Sequence, residues 1–143
     1  MAVDIARVLI ADSDSELRQQ VYSALLNHDV YADCVSSTSA ALAKLGEESY
    51  GVVVIDVALQ AGDVDRVIER IAAMPALLRP VVLVLAANPE SARSLDVDIV
   101  QIVLRKPVNL SQLVDVVRSC IRSTRSRGVT AGAATLNNAH ARS

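Results

Sequence analysis

Short apolar runs alternate along this chain with stretches of helical period. The run Val52-Val53-Val54-Ile55 has no polar face, so it predicts a strand buried on both sides, and it ends on a carboxylate, Asp56. Residues 7–11 predict a first strand that ends at Asp12. Residues 81–86 predict a fourth, and residues 99–104 a fifth that runs into Arg105-Lys106-Pro107. The second, residues 30–35, is more polar and has the pattern of an edge strand.

Between the strands the apolar period changes from two to about 3.6 residues. Asp12-Ser13-Asp14-Ser15-Glu16 is dense in cap residues and first-turn acids, and Leu17, Val21, Ala24 and Leu25 carry a helix on to about Asn27. Ser37-Thr38-Ser39 caps a second helix with Ala41, Leu42 and Leu45, which Gly46 is expected to break. After a loop over Val57–Gly62, Asp63 begins a third helix with Val64, Val67, Ile68 and Ile71 on one face. Asn88-Pro89-Glu90 starts a short fourth helix without a clear stripe. Asn109 caps a fifth, in which Leu110, Leu113, Val114, Val117 and Ile121 line up. Strands alternating with helices predict an α/β fold, a parallel sheet covered on both faces. One domain is expected over residues 1–124, without internal repeats. From Ser123 onward no apolar period survives, so residues 125–143 read as a flexible, basic, Ser/Arg/Ala-rich tail.

Composition narrows the function. The chain has 143 residues, 52% of them apolar and 21% charged, enough for one packed core and too apolar for global disorder. It contains no Trp and no Phe, so aliphatic side chains fill the core and few rings are left for stacking bases. Five of the 14 basic residues and none of the 16 acidic ones follow Asp115, which gives an acidic body and a basic end. Cys34 and Cys120 are too few for a disulfide framework or a zinc site and read as thiols in a reducing compartment. The start, Met1-Ala2-Val3-Asp4, lacks the pattern of a signal peptide, and no apolar run is long enough to span a membrane. A cytoplasmic protein without membrane contact is expected.

In a parallel sheet the carboxyl ends of the strands share one edge, where such folds place their ligands. Three of those ends carry charge: Asp12, Asp56 and Lys106. Neighbouring carboxylates repel, and a hard divalent cation such as Mg²⁺ relieves that repulsion through oxygen ligands. A lysine beside them can contact a phosphoryl group as a point charge. Two acids, a lysine and a divalent metal are the minimal set for phosphoryl transfer to an aspartate.

With these three strand ends in order, followed by Leu59 three residues after Asp56 and by Pro107 after Lys106, the chain resembles the receiver domains of two-component response regulators from about Arg7 to Ile121. The resemblance implies a flavodoxin-like, doubly wound, five-stranded sheet with five helices and a signalling module that is not an enzyme. It implies that Asp56 accepts a phosphoryl group from a sensor histidine kinase or a phosphotransfer protein and passes the signal to a downstream protein. Asp12, Asp56 and the carbonyl of Ala58 would hold Mg²⁺, Lys106 would contact the phosphoryl oxygens, and the Lys106–Pro107 bond would be cis. Family members also pair, so a homodimer is a candidate assembly.

The chain departs from that family at several places. Ser13 stands where a second acid is usual, which lowers the expected Mg²⁺ affinity, while Asp14 is placed to cap the first helix. Leu85 stands where a Thr or Ser ends strand four, and residues 81–87 hold no hydroxyl at all. Val103 takes the place of the partner aromatic on strand five, and Gln60 that of a common Pro. A receiver with a weakened switch is therefore expected. The alternative is a pseudo-receiver, a protein-interaction module that is not phosphorylated. A more remote one follows from Asp12-Ser13-Asp14, which resembles the start of haloacid dehalogenase phosphatases, with Asp12 as nucleophile and Asp14 as general acid. Fewer than 30 residues follow the core, too few for a DNA-binding output domain, so a stand-alone receiver or a fragment of a longer protein is expected.

Overall fold

β-Branched side chains are restricted at χ1 and pack well on a pleated sheet, and the densest runs of them form the sheet's centre. The computed structural model describes residues 7–59 and 64–129, with side chains through Ser123. The strands are β1 (Val8–Ala11), β2 (Ala32–Val35), β3 (Val52–Asp56), β4 (Val81–Ala86) and β5 (Val100–Arg105). The helices are α1 (Ser15–Leu26), α2 (Thr38–Glu47), α3 (Val64–Ala72) and α4 (Leu110–Val129). Every strand pair is parallel, in the order β2-β1-β3-β4-β5. The chain runs outward from β1 to β2 and returns to β3 on the other side of β1. The topological switch point therefore lies between β1 and β3.

Period-two alternation sorts each strand onto two faces. Val8, Ile10, Val52, Val54, Leu83 and Leu85 pack with Val21 and Leu25 of α1 and Leu113 and Val117 of α4. Leu9, Ala11, Val53, Ile55, Val82 and Val84 pack with Ala41 and Leu45 of α2 and Val67 and Ile71 of α3. β3 is buried along its whole length, as its unbroken apolar run requires. The caps fall where the side chains call for them. Asp14 accepts from the amides of Glu16 and Leu17, Ser37 from Ala40, and Asn109 from Gln112.

Four elements differ from the expectation. Gly46 does not break α2, which runs to Glu47; one glycine costs a helix only about 1 kcal/mol against alanine, and α2 is anchored by buried Thr38, Ala41 and Leu45. The fourth of the five expected helices is a 3-10 turn over Pro89–Ala92. Of the segment that follows only Leu95 and Ile99 are buried, too few apolar anchors to hold a longer helix, and an Asx turn at Asp96, whose carboxylate accepts from the Asp98 amide, closes it. The described residues thus hold four α-helices. α4 continues to Val129, through Gly128 and into the stretch read as tail, because a helix once nucleated propagates easily through Ser and Arg. β5 carries a bulge, with its register against β4 shifting between Val82 and Leu83. The expected helix start at Asp63, the position of Gln60 and the tail from residue 130 lie outside the described residues.

At the amino end of the sheet, Tyr50 Oη donates to Asp33 Oδ2 at 2.6 Å and Arg7 Nη1 donates to the same oxygen at 3.2 Å. Burial pushes the Asp33 carboxyl up, but the bonds from Tyr50 and Arg7 outweigh it and hold the group below the ordinary carboxylate range. A depressed acid stabilises the fold above its unfolded pKa and loses that contribution as pH falls through the folded value. Tyr50→Phe is therefore expected to destabilise the protein by about 1 kcal/mol at neutral pH. The deficit should shrink below about pH 4, as Asp33 takes up a proton. Urea unfolding at pH 7 and pH 3 measures both, and a deficit independent of pH would remove Asp33 from the explanation.

Candidate functional site

The alternation that builds the core also builds the site. Even-numbered residues of β1 and β3 face α1 and α4, so carrying the count to the strand ends puts Asp12 and Asp56 on that same face, on either side of the switch point. Lys106 follows β5 in the same phase as Ile102 and Leu104. Its amide donates to the Ala86 carbonyl at 2.9 Å, which extends the sheet register to the lysine itself. The Lys106–Pro107 bond that follows is cis. The structure thus brings together three residues that are 44 and 50 positions apart in sequence.

Both carboxylates are buried, Asp12 at 1% exposure and Asp56 at 6%. Lys106 Nζ donates to Asp56 Oδ2 and stands 3.3 Å from Asp12 Oδ2 as an ion pair. The second contact is not aligned as a hydrogen bond, so Asp12 Oδ2 is a buried oxygen without a hydrogen-bond partner. Burial pushes the Asp12 carboxyl up; the Asp14 amide and the Lys106 charge oppose the rise without cancelling it, and the Asp56 charge adds to it. Burial would lower the Lys106 ammonium, but its hydrogen bond to Asp56 and the charges of both acids raise it. Lys106 is therefore firmly cationic. Asp56 Oδ1 accepts from the Ala58 amide at 2.8 Å, which fixes the carboxylate against its own loop.

Two buried carboxylates, one with an orphaned oxygen, suit a small hard cation. Among the described residues no group of three or more His, Cys, Asp or Glu side chains gathers to hold a metal. Asp14 does not supply the third acid, because its carboxylate caps α1. The acids that the structure brings together at this edge are Asp12 and Asp56.

Next to Asp56 the sheet is entirely apolar on the β4 side. Leu85 is the register partner of Asp56 and of Leu104, and it is 1% exposed. Val103, the partner of Val84 on β5, is 41% exposed. One residue of the site escaped the sequence reading. Arg18, on α1, donates from Nη1 to the Asp12 carbonyl at 2.7 Å. An arginine six positions past the strand-end acid was the available signal, but it lies off the apolar stripe by which the helix was read.

A family model described as response regulator receiver domain matches residues 8–118. No curated protein matches the sequence. Among solved structures, the chain is similar to a CheY-like receiver domain protein from Methanospirillum hungatei (TM-score 0.74, 14% identity, 87% of this chain and 99% of that one). It is similar to the chemotaxis response regulator CheY4 of Vibrio cholerae (0.72, 20%, 82% and 99%). A third is the Thermotoga maritima response regulator TrrA, solved in complex with Mg²⁺-BeF (0.71, 18%, 81% and 99%). At these identities the structures speak for the fold. No helix among the described residues is long and apolar enough to cross a membrane.

Proposed function

The chain belongs to the response regulator receiver domain family, and on that premise we propose that it accepts a phosphoryl group on Asp56 from a histidine kinase or phosphotransfer protein in the cytoplasm. The observation that carries this reading is the joint placement of Asp12, Asp56 and Lys106 on one face at the switch point. In the transfer, a carboxylate oxygen of Asp56 attacks phosphorus. The P–N bond to the donor histidine breaks, and the electron pair leaves with the imidazole nitrogen. Lys106, already on Asp56 Oδ2, follows the new negative charge onto a phosphoryl oxygen. Asp12, Asp56 and the Ala58 carbonyl would hold Mg²⁺, which supplies positive charge for the phosphoryl oxygens. The Mg²⁺-BeF complex of the Thermotoga relative supports that assignment. With Ser13 exposed and uncharged in place of a further acid, the affinity for Mg²⁺ is weakened.

The expected test is a small-molecule phosphodonor with Mg²⁺, read by intact mass. One added phosphoryl group supports the reading. No adduct, with Mg²⁺ binding undetectable, leaves a pseudo-receiver acting through protein contacts, which the apolar Leu85 and the uncharged Ser13 favour. The phosphatase reading has less support, since its general acid, Asp14, already accepts from the Glu16 and Leu17 amides.

The output step is weakened in this proposal because Leu85 offers no hydroxyl to a phosphoryl group on its register partner Asp56. Leu85→Thr is expected to enlarge the phosphodonor-induced change in backbone NMR shifts. The unlabelled protein should lose about 1–3 kcal/mol of stability through the buried hydroxyl. Shift changes no larger than those of wild type would show that a hydroxyl at this place is not what the switch lacks.

A further inference from the structure

Asp12 is held at every polar atom but one. Its amide donates to the Val35 carbonyl at 3.1 Å, across the end of the β1–β2 pair. Its Oδ1 accepts from the Asp14 amide at 2.9 Å, and its carbonyl accepts from Arg18 Nη1 at 2.7 Å. Oδ2 alone is left without a hydrogen bond, and this is the oxygen 3.3 Å from Lys106. The first two restraints come from backbone amides and carbonyls that any residue supplies. The third comes from one half-buried side chain on the second turn of α1.

That third restraint controls the other polar contact of the turn. The carbonyl that Arg18 grips belongs to the Asp12–Ser13 peptide plane, and the amide on Oδ1 belongs to the next plane, Ser13–Asp14. If the first plane rotates, it carries the second with it and takes the Asp14 amide off Oδ1. The carboxylate is then free to turn about its own side-chain torsions. A guanidinium-to-carbonyl bond is charge-assisted and stronger than a neutral one, so it suits the task of pinning an exposed turn.

We propose that Arg18 is a positioning residue for the Asp12–Asp56 site: by fixing the Asp12 carbonyl it locks the β1–α1 turn with Oδ2 turned toward Lys106. Its consequence for chemistry rests on the phosphoacceptor reading; its hold on the turn does not. Groups that orient a metal-binding side chain from behind change affinity or activity by roughly 10–100-fold when removed, and Arg18 is placed in that class.

The test uses the full chain with Arg18→Met, which keeps an apolar stem and removes the donors, and Arg18→Lys, which keeps a charged donor. Amide exchange at Asp14 is measured by NMR without metal, then Mg²⁺ alone is titrated and the rate of labelling by a small phosphodonor is followed. In Arg18→Met, Asp14 exchange is expected to rise roughly tenfold while the β3 amides keep their protection. Mg²⁺ binding and labelling should both weaken about tenfold, and Arg18→Lys should recover part of each. Unchanged Asp14 exchange in Arg18→Met overturns the proposal, as does a loss of protection that spreads equally through β3. If wild type takes up no phosphoryl group while Arg18→Met still frees the Asp14 amide, the phosphoacceptor reading fails and the role of Arg18 in the turn stands.

Discussion

Asp56→Asn is expected to abolish phosphoryl uptake completely, with no adduct visible by intact mass under conditions that label wild type. The substitution keeps the shape of the side chain and one acceptor oxygen but removes the nucleophilic carboxylate. It also removes one of the two negative charges at the switch point, so the fold should survive it: the Ala58 amide still has an oxygen to bond, and Lys106 keeps Asp12 as a partner at 3.3 Å. That separation of effects makes the experiment decisive, because a variant that is folded and unlabelled locates the reaction. Labelling that persists in Asp56→Asn and disappears in Asp12→Asn would move the nucleophile to β1 and revive the phosphatase reading.

Lys106→Met should give the second large effect, on stability as well as labelling. The ammonium is the one cation contacting both buried carboxylates among the described residues, and its side chain is 21% exposed. Removing one partner of a fully buried pair costs about 3–5 kcal/mol; with the lysine head partly solvated, a loss of about 2 kcal/mol at pH 7 is expected. Most of it should return when Asp56→Asn is added, since the repelling pair is then reduced to one charge. A double-mutant cycle by urea unfolding reads that coupling directly. Equal losses in the single and double variants would mean that Lys106 stabilises the chain through its stem and not through its charge. Labelling should slow by about 100-fold, the scale on which a single preorganised donor to a developing anion acts.

The strand ends were legible because a buried parallel strand leaves a plain trace, an unbroken apolar run that stops at a charge. Asp12 and Asp56 each follow such a run, and Lys106 follows a less regular one. The carboxyl ends of a parallel sheet share one edge; that the three also share one face comes from the register between strands. Caps were legible for a similar reason, as with Asp14 and Asn109, whose side chains act within three residues. What was lost acts over longer range or without period. The 88–99 segment holds itself by local turns at Asn88 and Asp96, which leave no stripe to read. Gly46 looked like a stop because propensity speaks for one residue, while α2 as a whole is held by the burial of Thr38, Ala41 and Leu45. Tyr50 and Arg7 meet at Asp33 from positions 17 and 26 residues away. Arg18 reaches back to a carbonyl, an atom that every residue has and that no sequence pattern marks.

The sorting of side chains onto two faces has a consequence for how this chain can change over time. All three charged groups stand with α1 and α4, while α2 and α3 cover a face that carries none of them. Volume-conserving exchanges among Ala41, Leu45, Val67 and Ile71 should therefore shift melting temperature and leave the chemistry where it is. Comparable exchanges at Val21, Leu25, Leu113 or Val117 disturb the layer on which the acids and the lysine rest. One side of the sheet is free to drift in sequence within the limits of stability, and the other is tied to whatever Asp56 does.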